Sequence, residues 1–285
     1  MNGILLINKP KDYTSHDIVE VIKRLTNEKV GHTGTLDPNA TGVLPLLVGK
    51  ATGLSKYLIN HDKIYIATLK LGIKTDTADG EGNVIEEKEI PNINEEKIKH
   101  IFKEMLGEQN QVPPMYSAIK INGKKLYEYA RSGRTVEIEP RKITIYDMKL
   151  VEYNKTNKEI IFKISCSKGT YIRTVCENVS EKLNTVGYMK ELERLKVGEF
   201  SIENSVGIEQ IKSDPSLIKQ NIITIEEFFN NKKNINLTEK ELNIFLNGGK
   251  LTKILENDIY NIYVKEKYIG IGRIENNNLK RDIVI

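Results

Sequence analysis

The sequence predicts a mixed α+β protein with a small β-rich tail, on three observations. Apolar strand-like runs, Gly3-Ile4-Leu5-Leu6-Ile7-Asn8 and 43–48, alternate with helical patterns. Two β-patterned segments, 142–153 and 159–166, are joined by the turn-rich Asn154-Lys155-Thr156-Asn157, which predicts a hairpin. After an Asn- and Lys-rich cluster at 231–236 come a short helix, Gly248-Gly249 and three β-like runs. With 285 residues, 39% of them hydrophobic, the chain can bury a main domain, 1–231, and a small one, 232–285, which would be marginal alone.

Element by element, Lys9-Pro10-Lys11 ends the first strand. Thr14-Ser15-His16-Asp17 has capping-box spacing ahead of the amphipathic run 18–25. A helix is expected over 51–59, and a strand with one buried face over 63–71, where Ile64, Ile66 and Leu69 mark the pattern. The stretch 74–82 reads as a polar loop, and 95–106 as a helix on the spacing of Ile98, Ile101, Phe102 and Met105. Pro113-Pro114 makes the following segment rigid and nonhelical, with a short helix at 126–130. Another helix is expected over 171–183, a loop over 213–219, a helix over 239–246, and β runs near 259–264, 268–274 and 280–285.

Composition narrows the function. No run of about 18 apolar residues and no basic-then-apolar leader is present, so neither a membrane span nor a secretory signal is expected, and a cytoplasmic location follows. Cys166 and Cys176 are too few for a disulfide framework and form no zinc-like spacing with the four histidines, so no metal is expected. Net charge is only +4, but it is unevenly spread. Segment 113–142 holds seven cations (Lys120, Lys124, Lys125, Arg131, Arg134, Arg141, Lys142) against three anions, whereas 86–108 holds four cations against seven anions. The first could track phosphates while the second faces solvent.

Gly31-His32-Thr33-Gly34-Thr35-Leu36-Asp37-Pro38-Asn39-Ala40-Thr41-Gly42-Val43-Leu44-Pro45 surrounds one carboxylate with turn formers and hydrogen-bonding side chains. Gly31, Gly34 and Gly42 would permit backbone angles closed to other residues, and Pro38 fixes φ just after the acid. Two phosphate chemistries are excluded. In the phosphorylation loops of ion pumps and haloacid-dehalogenase-like phosphatases the nucleophilic Asp precedes the Thr-Gly-Thr, but His32 stands there in this chain. Gly42 to Gly49-Lys50 has six residues between the glycines where a phosphate loop has four, and Ala51 replaces the magnesium-binding hydroxyl.

The string His32 to Gly42 resembles the signature of the TruB-type RNA pseudouridine synthases, whose catalytic Asp falls on Asp37. Cys166-Ser167-Lys168-Gly169-Thr170-Tyr171-Ile172-Arg173-Thr174 resembles a second family string. It places Tyr171 and Arg173 at a helix start and makes Arg173 the bidentate partner of Asp37. Tyr65, in Asp62-Lys63-Ile64-Tyr65, matches the family tyrosine that stacks on an extruded base, although an isolated strand tyrosine serves a core equally well. Leu192, followed by Arg194-Leu195, resembles the late motif that lines the site with an apolar side chain, and core packing fits it equally. His32 takes an accessory role beside the RNA loop, and Lys9, in the family's opening Lys-Pro, either contacts RNA or braces the catalytic loop. One departure is Gly53, where relatives often carry Lys; Lys50 or Lys56 could substitute as a phosphate contact.

The resemblance covers about residues 3–200, with a weaker match of the tail to an RNA-binding domain of the PUA type. It implies a mixed, largely antiparallel central sheet with flanking helices. It also implies isomerisation of uridine to pseudouridine at position 55 in the T-arm stem-loop of tRNA, without cofactor. Segment 113–142 becomes a thumb that clamps the RNA, and a monomer without guide RNA is expected. The rival readings are a noncatalytic RNA-binding or tRNA-folding protein and a guide-RNA-dependent synthase.

Overall fold

The structure, a computed structural model, describes residues 1–285 except the side chain of Arg131, so that cation of the 113–142 segment lies outside the described residues. The chain forms two compact units, one of 1–38, 44–59 and 203–285, the other of 39–43 and 60–202. No helix among the described residues is long and apolar enough to cross a membrane.

The second unit is built on antiparallel neighbours. Strand Gly187–Val197 pairs with Lys63–Leu71, then come Glu159–Cys166, Arg141–Asn154 and finally Gly107–Gln111. Thr41 and Gly42 add a parallel pairing to Glu193 and Arg194, so the sheet is mixed and largely antiparallel, as expected. Helices Glu95–Glu104 and Ile172–Lys182 turn Ile98, Ile101 and Phe102, and Val175, Cys176 and Val179, into the core. Phe102 meets Phe162 of the sheet with ring centroids 5.5 Å apart, each ring contributing about 2–3 kcal/mol by burial.

The predicted 142–153/159–166 hairpin is present, one residue longer at each end of its first strand. The polar stretch 74–82 begins inside the strand Ile73–Thr75 and continues as the loop of a hairpin that joins it to Val84–Glu87. In segment 113–142, Lys120–Ile121 and Lys124–Lys125 form a two-residue hairpin in which Asn122 and Gly123 both have positive φ, as a type I′ turn requires, ahead of the helix Leu126–Arg131.

In the first unit, the buried strand Gly3–Lys9 pairs parallel with Val206–Gly207 and antiparallel with Ile222–Thr224. Helix Ser15–Thr26 starts at Thr14 with the predicted capping box, Asp17 answering the Thr14 hydroxyl. The helix expected over 51–59 is instead a 3-10 helix, Gly49–Leu54, followed by a single α turn, Ser55–Leu58. Gly53, the weakest helix former after proline, sits where regular α geometry fails. The loop expected over 213–219 lies across helices Ile208–Ser213 and Ser216–Asn221, broken only at Asp214-Pro215.

The tail has its own five-stranded sheet, in the order Asn234–Asn236, Ile259–Val264, Lys267–Glu275, Asn278–Val284, Leu251–Thr252. Phe245 of helix Glu239–Leu246 packs into its core with Ile262, Ile274 and Leu279. The buried Asp282 carboxylate accepts from Lys56 and from the Tyr57 hydroxyl, which Arg273 also bonds at 3.2 Å. A Cβ on Gly53 would lie 3.1 Å from Ile283, so this position is a packing site, and Lys56 is already ion-paired.

Candidate active site

Asp37 is half-buried between two residues whose backbones are held by the first unit. On one side, the Ser15 hydroxyl accepts from the Leu36 N–H at 2.8 Å and donates to the Leu36 carbonyl at 3.0 Å. On the other, the Pro38 carbonyl accepts from Lys9 Nζ at 2.9 Å and from the Asp12 N–H at 3.1 Å. Lys9 is fully buried and also donates to the carbonyls of Pro10 and Tyr13, at 2.9 and 2.6 Å. Of the two roles open to it, this geometry is that of a brace, because its ammonium is spent on backbone that frames the carboxylate. His32 is half-buried on the strand Val30–His32, opposite Leu46.

Of the three loop glycines, Gly42 alone has positive φ, at +106°. A Cβ there would lie 2.2 Å from the Arg194 carbonyl, so the parallel pairing with Arg194 demands glycine. Gly31 and Gly34 do not take up left-handed geometry, contrary to expectation.

In the second unit, Tyr65 stands opposite Arg194, and Ala67 opposite Leu192. Residues two apart share a face of a strand, so Leu192, Arg194 and Tyr65 lie on one face. Arg194 is 1% exposed; its Nε donates to the Val43 carbonyl at 2.9 Å, and its guanidinium hydrogen-bonds Tyr65. Burial pushes its pKa down while the Tyr65 bond opposes that, and a guanidinium so far above neutrality stays charged. A register shift between Arg194 and Lys196 bulges the strand beside this pair, re-aiming its side chains.

Arg173 follows the N-cap Tyr171 by two residues and is buried, whereas an unpaired surface arginine would be solvated. It donates to the carbonyls of Thr77 at 3.2 Å and Tyr116 at 2.9 Å, and stands 3.4 Å from Asp79 Oδ2. Asp79 in turn accepts from the Thr77 hydroxyl at 2.6 Å and the Glu81 N–H at 3.1 Å. One turn further, burial raises the Glu177 carboxyl above its ordinary pKa, with Lys74 at 3.5 Å opposing the shift.

The sequence reading missed Ser15, Asp79 and Gln111. Ser15 was visible only as part of a cap and Asp79 only as a loop residue; neither contact has a local sequence signal. Arg194 was noted in the Leu192 string but given no chemistry. Among the described residues no group of three His, Cys, Asp or Glu side chains is placed to hold a metal ion.

A mixed, largely antiparallel sheet with flanking helices and buried arginines in one unit, and a braced carboxylate loop and a β-rich tail in the other, define the class. The same fold occurs in a Cbf5-Nop10-Gar1 complex, with a TM-score of 0.69 and 22% identity over 99% of this chain and 84% of that one. It recurs in an archaeal box H/ACA Nop10-Cbf5 complex, with a TM-score of 0.66 and 22% identity over 99% of this chain and 85% of that one. Residues 23–172 match the TruB family pseudouridylate synthase N-terminal domain, and the chain belongs to that family. It is 44% identical over 280 residues to a tRNA pseudouridine synthase B of Clostridium tetani, covering 96% of each chain. To the protein of that name from Caldanaerobacter subterraneus it is 39% identical, covering 98% of each. The Francisella tularensis counterpart is also 39% identical, over 98% of this chain and 93% of that one.

Proposed function

We propose that this chain isomerises uridine to pseudouridine in tRNA, at position 55 of the T arm, with Asp37 as the catalytic carboxylate. The observation that carries the reading is the near full-length kinship with tRNA pseudouridine synthase B proteins in a chain whose Asp37 loop is intact and braced on both sides.

The reaction breaks the bond from N1 to C1′, turns the uracil and joins C5 to C1′; C5 gives up a proton and N1 gains one, so atoms balance without redox agent or nucleotide energy. The Asp37 carboxylate attacks C1′, attacks the uracil ring or stabilises a cationic sugar. Arg173 is its cationic partner, holding the charge and the aim. Tyr65 stacks on the uracil, fixed through its hydrogen bond to Arg194, and Leu192 supplies an apolar wall on the same face. A uridine stacked in the T loop must be flipped out, at a cost of a few kcal/mol that phosphate contacts offset. Segment 113–142 is the clamp that makes them, His32 contacts the distorted loop, and the tail, 232–285, is a PUA-like RNA-binding module. The enzyme works in the cytoplasm as a monomer and takes no guide RNA.

The test is incubation of the protein with an unmodified tRNA transcript, without guide RNA or cofactor, followed by pseudouridine mapping. Product at position 55 is expected from the wild type, and binding without product from Asp37→Asn. Turnover by Asp37→Asn would remove Asp37 from the chemistry; wild-type product that appears only with an added guide RNA would overturn the stand-alone reading.

A further inference from the structure

Gln111 makes two hydrogen bonds that the chemistry above does not use. It ends strand Gly107–Gln111, and its side chain is buried. Its Oε1 accepts from the Tyr171 N–H at 2.8 Å, and its Nε2 donates to the Tyr171 carbonyl at 3.1 Å. Tyr171 is the N-cap of the helix that carries Arg173, and its own side chain makes no capping bond. Helix starts leave backbone groups to be satisfied from outside, and here a carboxamide from a different strand fixes the N-cap residue. Two residues on, Arg173 donates to the carbonyl of Tyr116, only five residues beyond Gln111. The contacts close a ring: Gln111 side chain to Tyr171 backbone, Arg173 side chain to Tyr116 backbone, and back along the chain to Gln111. That ring ties the root of segment 113–142 to the first turn that presents Arg173.

We propose that Gln111 is a positioning residue for Arg173, setting the helix start from which the guanidinium reaches into the site. This rests on the reading of Arg173 as the partner of Asp37. The pairing requires one donor and one acceptor on the same planar group, which a carboxamide has. An ionised carboxylate of the same length would keep the bond from the Tyr171 N–H but set an oxygen against the Tyr171 carbonyl. A protonated carboxyl would restore both bonds. Gln111→Glu therefore makes the clamp pH-dependent in a way that Gln111→Leu does not.

The experiment uses the full chain as wild type, Gln111→Leu, Gln111→Glu, Arg173→Lys and the double variant Gln111→Leu/Arg173→Lys. Single-turnover pseudouridine formation on an unmodified tRNA transcript is measured with enzyme saturating, across about pH 5 to 8, alongside RNA affinity and thermal melting. Gln111→Leu is expected to lose about tenfold or more in rate, with RNA affinity within about twofold of wild type, because misplacement acts on the chemical step. Relative to wild type, Gln111→Glu recovers as pH falls and Gln111→Leu does not, and the double variant is no slower than Arg173→Lys. A normal rate in Gln111→Leu beside an impaired Arg173→Lys overturns the clamp alone. Absence of acid recovery in folded Gln111→Glu overturns it as well, even if Gln111→Leu fails to fold. Full activity in Arg173→Lys overturns the clamp together with the reading of Arg173 on which it rests.

Discussion

Replacing Ser15 by alanine removes one oxygen and unfastens both backbone groups of the residue before Asp37. Ser15 is 2% exposed and Leu36 is 3% exposed, so water does not readily replace the lost partner. A net hydrogen bond is worth about 1 kcal/mol and a buried group left unsatisfied costs about 1–3 kcal/mol, so the two together put the loss at about 2–4 kcal/mol. For a chain of this size that corresponds to a fall in melting temperature of about 3–7 °C. Under the proposed function the catalytic consequence is separate. With the Lys9 and Asp12 bonds to the Pro38 carbonyl intact, Asp37 is anchored on one side only, and a shift of about 1 Å at a reacting group costs about a hundredfold in rate. Thr14→Ala is the matched control. It removes the cap of the same helix, at about 1 kcal/mol, but touches neither Leu36 nor Pro38. Thermal melting and single-turnover pseudouridine formation should show both variants destabilised and only Ser15→Ala slowed well beyond that. A wild-type rate in Ser15→Ala, or an equal loss of rate in Thr14→Ala, would refute the argument that this hydroxyl aims the carboxylate.

Three further outcomes are expected. Gly42→Ala places a methyl 2.2 Å from the Arg194 carbonyl at a φ of +106°, which should cost about 3 kcal/mol or more and be read as a large drop in melting temperature; a wild-type melt would contradict it. Glu177 binds its proton more tightly folded than unfolded, because burial raises its pKa, so its contribution is fully present below the ordinary carboxylate pKa and is lost as pH rises through the raised one. Glu177→Gln should therefore gain stability relative to wild type as pH climbs from acid to neutral, and a pH-independent difference in urea midpoints would count against it. Asp282→Asn removes the charge shared by Lys56, Tyr57 and Arg273 and should destabilise the protein by about 3 kcal/mol. It should also lower the Tyr57 phenol, now pushed up to about 12 by burial and by its bond to Asp282, in a spectrophotometric titration; an unchanged titration would refute the coupling.

What was legible in the sequence was what local physics decides. The Thr14 capping box, the alternation of 63–71, the 142–166 hairpin and the helix Glu239–Leu246 all rest on spacing within a few residues, and the structure has them. Strand Gly187–Val197 was not legible, because Lys190-Glu191-Leu192-Glu193-Arg194 carries long charged side chains that favour strands poorly. It is a strand because Lys63–Leu71 pairs along it and Gly42 meets it from the other side, a decision made by residues far away in sequence. The same holds at the candidate site. Asp37 stands out because turn formers crowd around it, but Ser15, Asp79 and Gln111 act on partners 21, 94 and 60 residues away, and no window on the chain contains both ends of those contacts.

The burial of the motif cations changes where RNA affinity must come from. Lys9 is spent on three carbonyls, Arg173 on two carbonyls and Asp79, and Arg194 on Val43 and Tyr65, so the basic residues that a motif search finds first serve the geometry of the site. Under the proposed function, phosphate contacts fall to cations that the fold leaves in solvent. In segment 113–142, Lys120, Lys124, Arg134, Arg141 and Lys142 are all exposed. Lys120 and Lys124 flank a hairpin whose Asn122-Gly123 turn fixes its shape, while Arg141 and Lys142 lie at the root of the segment, paired with Gln111 and Asn110. Under the proposed function charge is divided by burial: cations inside fix where the carboxylate and tyrosine point, and cations outside supply the sequence-independent, salt-sensitive attraction that brings a polyanion to them. Substitutions in the exposed set should therefore change the salt dependence of binding, and substitutions in the buried set should change the rate of the bound complex.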